Sequence, residues 1–568
     1  MKSREQALIH IANQKFDVCI IGGGATGAGC ALDSQLRGLK TVLVDAGDFA
    51  GATSSKSTKI AHGGVRYLEE AVKDLDPSQY HVVTRALHER IRMLRNAPYL
   101  SHTMEFLLPC FHWTEVAYYD VGLKIYDWVS GDAGIFPSHF LSKEESLRRM
   151  PGLNPNQLVG SIAYADGQFD DARYNLALVE TFAQAGGEPL NYARVVAFEK
   201  DPEGRLKSAE VVDQLSKKKF AIEAAAFVNA TGPLSDTLRD LATPGVQARM
   251  RPSKGVHILL PLEILPSFDA LLIPKTEDGR VLFAVPWLGR LLVGTTEQEV
   301  SPHDELHVTQ EEVQYLLHHL NKYLEKPVTP GQIVSGFAGA RPLVSSGDAR
   351  DTKKLARDDE IEVDAKSGLI SIMGGKWTTY RAMAEDTIDT VQEQLGAPKT
   401  ESPTRNLPLT GSDGYTPVYW QKLVRDYRIS EETAQHLAEK FGTRADQVLA
   451  LTEGDAELSR PIVDGLPQLR AEVAFCARNE MAVTIEDILF RRLGMQLFSW
   501  RSAIHAAPVV ASILARELGW PDDAARNATR EYVERINRFL QLAGLTPEVF
   551  PDPASAGAAG TASNAKGR

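Results

Sequence analysis

Three glycines near the start of the chain have the spacing of a turn that binds a dinucleotide. Gly22, Gly24 and Gly27 directly follow the apolar run 16–21 and precede an alanine-rich stretch. Glycine permits a tight turn and a close approach of backbone N–H groups to a pyrophosphate, which then faces the N-terminus of the next helix. Asp45 ends the following apolar run, 18 residues after Gly27, where an acid accepts hydrogen bonds from ribose hydroxyls. The cofactor contacts predicted in this unit are Gly22, Gly23, Gly24, Ala25, Thr26, Gly27 and Asp45.

Two later segments distinguish between NAD and FAD. FVNATGP at 227–233 is an apolar strand that ends in Ala-Thr-Gly, and GLISIMGGKWTTYRAMAED at 368–386 is a strand, a Gly-Gly turn and a helix. Each of the three turns alone could be purely structural, but together they form the signature of flavoproteins with two dinucleotide-binding domains. A helix beginning near Thr378 would direct its positive end at the pyrimidine edge of the flavin, where Lys376 would also stabilise the charge of the reduced form. The sequence therefore favours FAD and adds the contacts Gly232, Gly374, Gly375, Lys376 and Thr378.

These turns need particular elements on either side. The first unit reads as strand, turn, helix and strand, which is a βαβ unit. The run VLFAVPWLGRLLVGTT at 281–296 is two apolar segments around a Leu-Gly-Arg turn, which predicts an antiparallel hairpin. The remaining predicted elements are a helical stretch with aromatic interruptions at about 77–150, a helix at 173–186, strands at about 190–230, a strand at 368–375 and a helix from there to about 396.

The composition changes near residues 397–412, where Pro, Thr, Ser and Gly crowd together and indicate a linker. From about 416 to 546 the pattern is helical almost throughout, with caps such as Thr484 followed by Asp487. Residues 551–568 are small and polar without a periodic apolar face, so this tail is expected to be disordered.

The overall composition is that of a globular protein and excludes several classes. The 568 residues are 43% hydrophobic and 24% charged, with a formal charge of −12, so no nucleic-acid partner is expected. The four cysteines form no CxxC pair, which predicts buried thiols and neither a metal site nor disulfides. No apolar run reaches the ~18 residues of a membrane span and no secretory signal is recognisable, so a soluble or peripheral cytoplasmic protein is expected.

Five longer motifs carry a family resemblance. They are GATSSKSTKIAHGGVRYLEEA at 51–71, KGVHILLP at 254–261, DGRVLFAVPW at 278–287, GARPLV at 339–344 and GGKWTTYR at 374–381. Together they resemble the FAD-dependent glycerol-3-phosphate dehydrogenases, and Trp377 with YADGQFDDAR at 164–173 is similar to the mitochondrial-type branch. The resemblance extends from about residue 14 to 545, and the lack of a convincing transit peptide suggests a bacterial member. No DxDxDG loop follows residue 500, so the calcium regulation of the animal proteins is not expected.

The resemblance implies a fold and an activity. The expected fold is α/β, and α+β overall, with a Rossmann-like FAD domain of two dinucleotide-binding units interleaved with an antiparallel-sheet substrate domain and followed by a helical C-terminal domain. The expected reaction is the oxidation of sn-glycerol 3-phosphate to dihydroxyacetone phosphate, in which non-covalent FAD takes the hydride and a membrane quinone takes the electrons. The expected ranges are 14–85, 155–250 and 336–396 for the FAD-binding domain, 86–154 and 251–335 for the substrate domain, 397–415 for the linker and 416–546 for the helical domain.

The implied substrate is a small dianion with a secondary alcohol. Arginine suits its phosphate because one guanidinium group can bind two oxygens, and the resemblance brings Arg66, Arg341 and Arg357 to the active site. Lys254 and Lys376 lie next to glycines that permit a close approach of the ligand. Arg341 and Lys376 are predicted to be catalytic, and the other three cations are predicted to bind the substrate.

The base must accept the hydroxyl proton while the hydride leaves. His257 is the candidate, because a neutral imidazole suits proton abstraction at neutral pH, and the alternative is a histidine of the core. His62 lies in the motif where flavin contacts of the family cluster and is predicted to contact the cofactor. Ser54, Ser55 and Thr58 of the same motif are predicted to hydrogen-bond the cofactor, with loop capping as the alternative.

Other functions remain open at this point. The nearest alternative is an oxidase that passes electrons to oxygen and forms hydrogen peroxide. An FAD amine or 2-hydroxyacid oxidoreductase of the same fold and a non-enzymatic flavin sensor are also compatible with the fold, although several cations favour a phosphorylated substrate. The oligomeric state is open, with a homodimer as one candidate.

A quinone acceptor implies contact with a membrane, here the cytoplasmic face of the inner membrane. Without a spanning segment, the contact requires an exposed apolar and aromatic surface helped by local cations. The stretch from Phe106 to Trp128 is the candidate, and the alternative is that its rings pack beneath the substrate domain. Its members are Phe106, Phe111, Trp113, Tyr118, Tyr119, Tyr126 and Trp128, with Lys124 among them.

Overall fold

The computed structural model describes residues 4–64, 77–345 and 359–549, which form two β-sheets and many helices. The strands are β1 (Lys15–Ile21), β2 (Thr41–Val44), β3 (Ile60–Ala61), β4 (Ser101–Cys110), β5 (His139–Ser142), β6 (Gly160–Phe169), β7 (Glu188–Leu190), β8 (Ala193–Lys200), β9 (Leu206–Asp213), β10 (Lys219–Asn229), β11 (Ser253–Pro261), β12 (Ala270–Ile273), β13 (Leu282–Trp287), β14 (Arg290–Gly294), β15 (Gln298–Glu299), β16 (Ser335–Arg341), β17 (Asp359–Val363) and β18 (Ile370–Gly374). The helices are α1 (Arg4–Ala12), α2 (Ala25–Leu36), α3 (Pro77–Asn96), α4 (Trp113–Ser130), α5 (Lys143–Arg149), α6 (Asp171–Gln184), α7 (Ser235–Ala242), α8 (Gln310–Asn321), α9 (Tyr380–Gln394), α10 (Tyr419–Tyr427), α11 (Glu431–Phe441), α12 (Ala445–Gly454), α13 (Arg470–Asn479), α14 (Met495–Phe498), α15 (Trp500–Leu518) and α16 (Asp522–Leu542).

The smaller sheet carries the three glycine turns at the carboxyl ends of its parallel strands. Its eight strands include the order β17-β18-β10-β1-β2-β7, and β9 pairs with β10 and β8. Strands β1 and β10 are parallel, as are β10 and β18, so that Ile21 lies opposite Asn229 and Asn229 lies opposite Ser371. Because the carboxyl ends of parallel strands meet at one edge, the three turns converge there, as the three-part signature predicts.

The larger sheet places the candidate base beside the candidate arginine. Its ten strands include the order β15-β11-β14-β13-β12-β4-β6-β3, with β16 on β11 and β5 on β6. The predicted hairpin is confirmed, because β13 and β14 pair antiparallel with Phe283 opposite Gly294. Strand β11 also pairs antiparallel with β16, which brings Ser253 opposite Arg341 and His257 opposite Phe337.

The helical prediction for residues 77–150 is wrong in part. Helices α3 and α4 occupy much of the stretch, but Ser101–Cys110 is strand β4 and pairs with β6 along its whole length. Phe106 stacks on Tyr164 across this pair, with ring centroids 5.3 Å apart. This segment is a strand because it pairs with β6, far along the chain, and buries its side chains there. The local sequence pattern indicates neither the pairing nor the burial.

Three strands cross the domain ranges expected from the sequence. Strand β3 falls within 14–85, β6 within 155–250 and β16 largely within 336–396. All three ranges are expected in the FAD-binding domain, yet all three strands pair in the larger sheet. The chain therefore moves between the sheets inside the expected ranges, and the sheet boundaries do not coincide with them.

The connection at 397–415 packs against the body of the protein. Ser402, Thr404 and Leu409 are buried, and Leu409 N–H donates to the carbonyl oxygen of Asn96 at 2.8 Å. The Pro- and Ser-rich segment thus connects α9 to the C-terminal helices without regular α-helix or strand, but it is packed against the rest of the protein.

Helices α10 to α16 confirm the helical C-terminal domain, and buried ion pairs join it to α6. Arg173 donates to both carboxylate oxygens of Glu480, at 2.7 and 3.0 Å, and Arg444 pairs with Glu180. Removing one partner of such a pair leaves an uncompensated buried charge, so these contacts fix the docking of the domain.

Four further findings concern the described parts of the chain. All four cysteines are buried and unpaired. Within 4–64, 77–345 and 359–549, no helix combines the length and apolarity needed to cross a membrane. The same ranges contain no cluster of side chains suited to a metal ion. The tail predicted to be disordered, 551–568, lies outside the described residues.

Candidate active site

The first glycine turn is closely packed and leaves a helix N-terminus open to a ligand. Gly22 has a φ of +110°, and a Cβ there would lie 2.4 Å from the carbonyl oxygen of Ala230 in the second turn. Helix α2 follows Gly24, and the Ala25 N–H donates to Ser54 Oγ at 2.9 Å. The other first-turn N–H groups of α2 have no intrahelical acceptor, so they can bind a pyrophosphate.

Asp45 lies at the end of β2, next to this turn. Its Oδ2 accepts from the Gly23 N–H at 2.6 Å and its Oδ1 from the Gly47 N–H at 2.8 Å. Burial raises the pKa of Asp45, and these two N–H groups oppose the rise. Each carboxylate oxygen can accept more than one hydrogen bond, so both remain able to accept from ribose hydroxyls.

The third turn joins the first through a tryptophan. Strand β18 ends in Gly374, and the short 3₁₀ segment Trp377–Thr379 precedes α9. Trp377 Nε1 donates to the Ser54 carbonyl oxygen at 2.8 Å, and its ring packs edge-on against Phe169, with centroids 5.0 Å apart. Thr378 is buried and Lys376 half-buried at this position.

The loop 53–59 connects the cofactor edge with the larger sheet. Thr53 Oγ1 donates to the Ala340 carbonyl oxygen of β16 at 2.7 Å, and Thr58 Oγ1 lies 3.0 Å from His257 Nε2 of β11. Lys59 anchors the loop through a 2.5 Å ion pair with Asp171 at the start of α6. One short loop thus contacts the FAD turn, the candidate base and the strand of the candidate arginine.

His257 is buried in the larger sheet in a position that only a glycine neighbour allows. A Cβ on Gly294 of the adjacent strand would lie 2.2 Å from His257 Cδ2, and the imidazole stacks on Phe337 with centroids 4.8 Å apart. Its Nδ1 has no hydrogen-bond partner among the described residues. Burial first, and then the charges of Arg341 and Lys59, lower the pKa of His257 well below its ordinary value, so the ring is neutral at neutral pH.

Arg341 extends along the same face of β11. A Cβ on Gly255 would lie 2.5 Å from Arg341 Nη2, and this nitrogen donates to Thr295 Oγ1 at 2.9 Å and to the Thr296 carbonyl oxygen at 3.2 Å. Gly255 and His257 are two positions apart in the strand and therefore share a face. The structure thus places a fixed guanidinium group and a neutral imidazole on one surface beside loop 53–59.

Comparisons with known proteins agree with this geometry. Residues 17–381 match the family described as FAD dependent oxidoreductase, and residues 402–525 match the C-terminal domain of alpha-glycerophosphate oxidase. The mitochondrial glycerol-3-phosphate dehydrogenase of Bos taurus is 39% identical over 553 residues, which cover 95% of this chain and 75% of that protein. The chain belongs to the FAD-dependent glycerol-3-phosphate dehydrogenase family. The probable mitochondrial enzyme of Caenorhabditis elegans is 41% identical over 552 residues, covering 95% of this chain and 76% of that protein.

One solved structure leads to the same family, and a second shares the fold. The glycerol-3-phosphate dehydrogenase of Bacillus halodurans, complexed with FAD, aligns over 97% of this chain and 99% of its own, with 28% identity and a TM-score of 0.77. L-alpha-glycerophosphate oxidase of Mycoplasma pneumoniae aligns over 69% of this chain and 98% of its own, with 18% identity and a TM-score of 0.53, which shows the fold alone. The protein is accordingly an FAD-dependent oxidoreductase, as the sequence predicts.

The residues around the three turns fit FAD. The open first turn of α2 suits the pyrophosphate, and Asp45 suits the ribose. Ser55 Oγ is buried without a hydrogen-bond partner in the described part of the chain, as a group reserved for a ligand would be. The side chains of Ser54 and Thr58, also predicted to bond the cofactor, differ from Ser55 because each already has a hydrogen-bond partner within the protein.

Other predicted site residues lie elsewhere or outside the described ranges. Lys254 projects from the opposite face of β11 and pairs with Glu312 of α8 at 2.8 Å, so the structure does not bring it to His257. Its neighbour Gly255 makes room for Arg341 and not for a ligand at Lys254. His62 follows β3 and is half-buried, whereas Arg66 and Arg357 lie outside the described residues.

Four functional positions escaped the reasoning from sequence. Gly255 and Gly294 accommodate the arginine and the histidine, and Lys59 with Asp171 anchors the loop. A glycine inside an apolar strand often indicates close approach of another group, so the two glycines carried a readable signal. The ion pair between Lys59 and Asp171 joins residues far apart in the chain, so no local sequence pattern indicates it.

Replacement of Asp45 by alanine is expected to weaken FAD retention. The change removes charge-assisted hydrogen bonds of roughly 1.5–3 kcal/mol each, which corresponds to about tenfold or more in affinity. FAD released on dilution of the purified holoprotein, followed by flavin fluorescence, measures the effect. Asp201→Ala is the control, because Asp201 accepts a backbone N–H in a turn away from the cofactor edge. Equal retention in both variants would assign Asp45 another role.

Proposed function

We propose that this protein oxidises sn-glycerol 3-phosphate to dihydroxyacetone phosphate, with non-covalent FAD as hydride acceptor and a membrane quinone as the final acceptor. The observation that supports the substrate class is the placement of Arg341 and a neutral His257 on one face of the larger sheet, beside the loop that contacts the FAD turn. The names of the relatives supply the substrate.

Each residue has a separate task in the proposed reaction. Arg341 binds the phosphate, because guanidinium is always charged and can bind two of its oxygens. Lys376 adds a second positive charge at the cofactor edge and offsets the dianion. Bound FAD supplies the hydride acceptor. The proton of the 2-hydroxyl passes to His257, the hydrogen on carbon 2 leaves as hydride, and the C–O bond becomes a carbonyl.

The proposal assigns the proton to Nδ1 of His257. The Nε2 atom already contacts the Thr58 hydroxyl at 3.0 Å, which fixes the orientation of the ring. The stacked ring of Phe337 covers one face of the imidazole and excludes water from it. A base held in one orientation lowers the entropic cost of reaching the transition state.

An anaerobic titration tests the reaction directly. Glycerol 3-phosphate added to the holoprotein without oxygen is expected to bleach the yellow flavin, whereas glycerol, which lacks the phosphate, is expected to leave it oxidised. Bleaching by a 2-hydroxyacid or an amine instead would contradict the substrate class. After bleaching, a short-chain quinone is expected to restore the colour faster than oxygen does, and rapid formation of hydrogen peroxide would favour the oxidase.

The same holoprotein tests how the flavin is attached. Acid precipitation is expected to release all of the yellow colour into the supernatant, because FAD is proposed to be held by hydrogen bonds and charge alone. Colour that stays with the pellet would show a covalent link.

Replacement of His257 by alanine is expected to reduce kcat by roughly 10²–10⁴, the contribution of a general base. His319 is the matched control, since both histidines are 3% exposed but His319 lies on α8 outside the site. His319→Ala is expected to keep near wild-type turnover. A loss smaller than about tenfold in His257→Ala would return His257 to a purely structural role.

The pH profile of kcat gives a second test of His257. A base works in its neutral form, so activity is lost as the pH falls through the pKa of the base. Because that pKa lies below the ordinary histidine value, kcat is expected to stay level from pH 8 down past about 6.5 and to fall only at lower pH. An acid limb centred at or above about 6.5 would point to a different group.

The proposed quinone acceptor requires contact with the cytoplasmic face of the membrane, and α4 offers an apolar surface for it. Trp113, Val121 and Trp128 are 68%, 60% and 78% exposed. Their spacing of eight and seven residues places them along one side of the helix. Phe140 of β5 extends the surface, with its ring 5.8 Å from that of Trp113.

The seven aromatic residues predicted as one surface divide into two groups. Phe106 and Tyr126 are buried, and Phe111 and Tyr119 are half-buried, as the packing alternative expects. Trp113, Tyr118 and Trp128 are exposed. Helix α4 also carries three acids, Glu115, Asp120 and Asp127, against Lys124. The proposed membrane contact is therefore apolar more than electrostatic.

A double replacement of Trp113 and Trp128 by serine is expected to release the holoprotein from liposomes in a flotation assay, while activity with a soluble dye stays intact. Release is expected from neutral and anionic vesicles alike, because the surface lacks excess cations. The control is Leu215→Ser, which changes a 47% exposed apolar residue in the turn between β9 and β10. Unchanged flotation of the double variant would place the membrane contact elsewhere.

A further inference from the structure

A buried carboxylate near the FAD turn is held by the C-terminal domain. Asp48, which is 2% exposed, lies three residues after Asp45 in the loop that follows β2. Arg491 Nε donates to its Oδ2 at 2.6 Å, and Arg492 Nη2 donates to its Oδ1 at 3.1 Å. Both arginines belong to the helical domain, more than 400 residues further along the chain.

The local backbone explains how consecutive arginines reach one carboxylate. Residues Asp487–Arg492 form a π-helix, whose turn is wider than that of an α-helix. Neighbouring side chains of an α-helix point about 100° apart, and the wider turn reduces this angle. Single π-helical turns occur frequently at functional sites. The segment is also anchored internally, since Arg491 pairs with Asp487.

Asn191 and Tyr192 also hold the loop 45–50. Asn191 Nδ2 donates to Asp48 Oδ1 at 3.1 Å and to the Met481 carbonyl oxygen at 2.8 Å. Tyr192 N–H donates to the Gly47 carbonyl oxygen at 2.7 Å, and Tyr192 hydroxyl donates to Asp487 at 2.7 Å. Two neighbouring residues therefore bind the loop and the C-terminal domain at the same time.

The same short loop carries the ribose acid. Gly47 N–H donates to Asp45 Oδ1 at 2.8 Å, and Ala50 N–H donates to the Gly23 carbonyl oxygen at 3.1 Å. A shift of the loop backbone at Asp48 is therefore passed through Gly47 and Ala50 to Asp45 and the first glycine turn. Although burial opposes it, the charges of Arg492 and Arg491 hold the pKa of Asp48 below its usual value, so the carboxylate stays ionised and bound.

We propose that the π-helical segment Asp487–Arg492 is an FAD-retention element, in which Arg491 and Arg492 are positioning residues that hold loop 45–50 so that Asp45 meets the ribose. This inference concerns the cofactor and does not depend on the proposed substrate or electron acceptor. The competing explanation is that the arginines only dock the C-terminal domain.

A matched pair of variants separates the two explanations. Arg491→Gln removes a guanidinium group that contacts Asp48 in loop 45–50. Arg444→Gln removes one that joins the same two domains but contacts Glu180 of α6 and Glu480 instead. Dissociation of FAD from each holoprotein is followed by flavin fluorescence after dilution, and the apparent Tm is recorded with and without added FAD.

Both variants are expected to lower the apparent Tm, but only Arg491→Gln is expected to weaken FAD retention, by about tenfold, the fold-change of one lost charge-assisted hydrogen bond. Added FAD is expected to raise the Tm of Arg491→Gln and to restore its bleaching by substrate. Equal FAD loss from both variants would reduce the segment to a docking contact, and wild-type retention in Arg491→Gln would overturn the proposal.

Tyr192→Phe covers the case in which Arg491→Gln does not fold. It removes the hydroxyl that bonds Asp487 and keeps every charge and the ring. The variant is expected to release FAD about threefold faster than wild type and to lower the Tm less than Arg491→Gln does, since it removes one hydrogen bond to the Asp487 carboxylate and leaves both arginines in place. Wild-type release from this variant would contradict the proposal.

Discussion

A buried ion pair between Lys59 and Asp171 holds the two sheets of this protein together at the active site. Ser57 donates to Asp171 through both its N–H and its hydroxyl, so three atoms of one loop bind a single anchor at the start of α6, and Lys59 Nζ also donates to the Ser55 carbonyl oxygen within the loop. The carboxylate lies in the first turn of the helix, where the macrodipole favours a negative charge. Because loop 53–59 touches the FAD turn on one side and His257 on the other, the geometry between cofactor and base depends on this pair.

Positive charges near His257 affect both the binding of an anionic substrate and the pKa of the histidine. A dianionic substrate needs cations, and the same cations lower the pKa of a nearby imidazole. Burial first, and then the charges of Arg341 and Lys59, lower the pKa of His257 and keep the ring neutral. In the proposed reaction, the cations that bind the phosphate thus also help to keep the base neutral, and among the described residues no carboxylate that would raise its pKa bonds to His257.

The local part of this arrangement could be predicted from the sequence, and the long-range part could not. The three glycine turns were recognisable because strand, turn and helix follow one another within 30 residues or so. The opposite orientations of Lys254 and His257 could be predicted, because residues 254 and 257 are three apart in a strand and must face opposite sides. The contact of Thr58 with His257 spans 199 positions, and no local pattern records it. Strand β4 was missed for the same reason, since its partner β6 lies beyond two helices.

The interleaving of the sheets has a consequence for synthesis of the chain. Strand β1 ends at Ile21, but its neighbour β10 ends at Asn229 and the next parallel strand, β18, ends at Gly374. At about 5–20 residues per second, a ribosome needs on the order of 20–70 s to produce the residues between the first and the last of these strands. Until β10 has been made, β1 can pair only with β2, and β10 in turn waits for β18. Such non-local pairing is slow and exposed to aggregation. The edge that receives FAD is therefore completed only after about two thirds of the protein has been made, which makes cofactor capture a late step of folding.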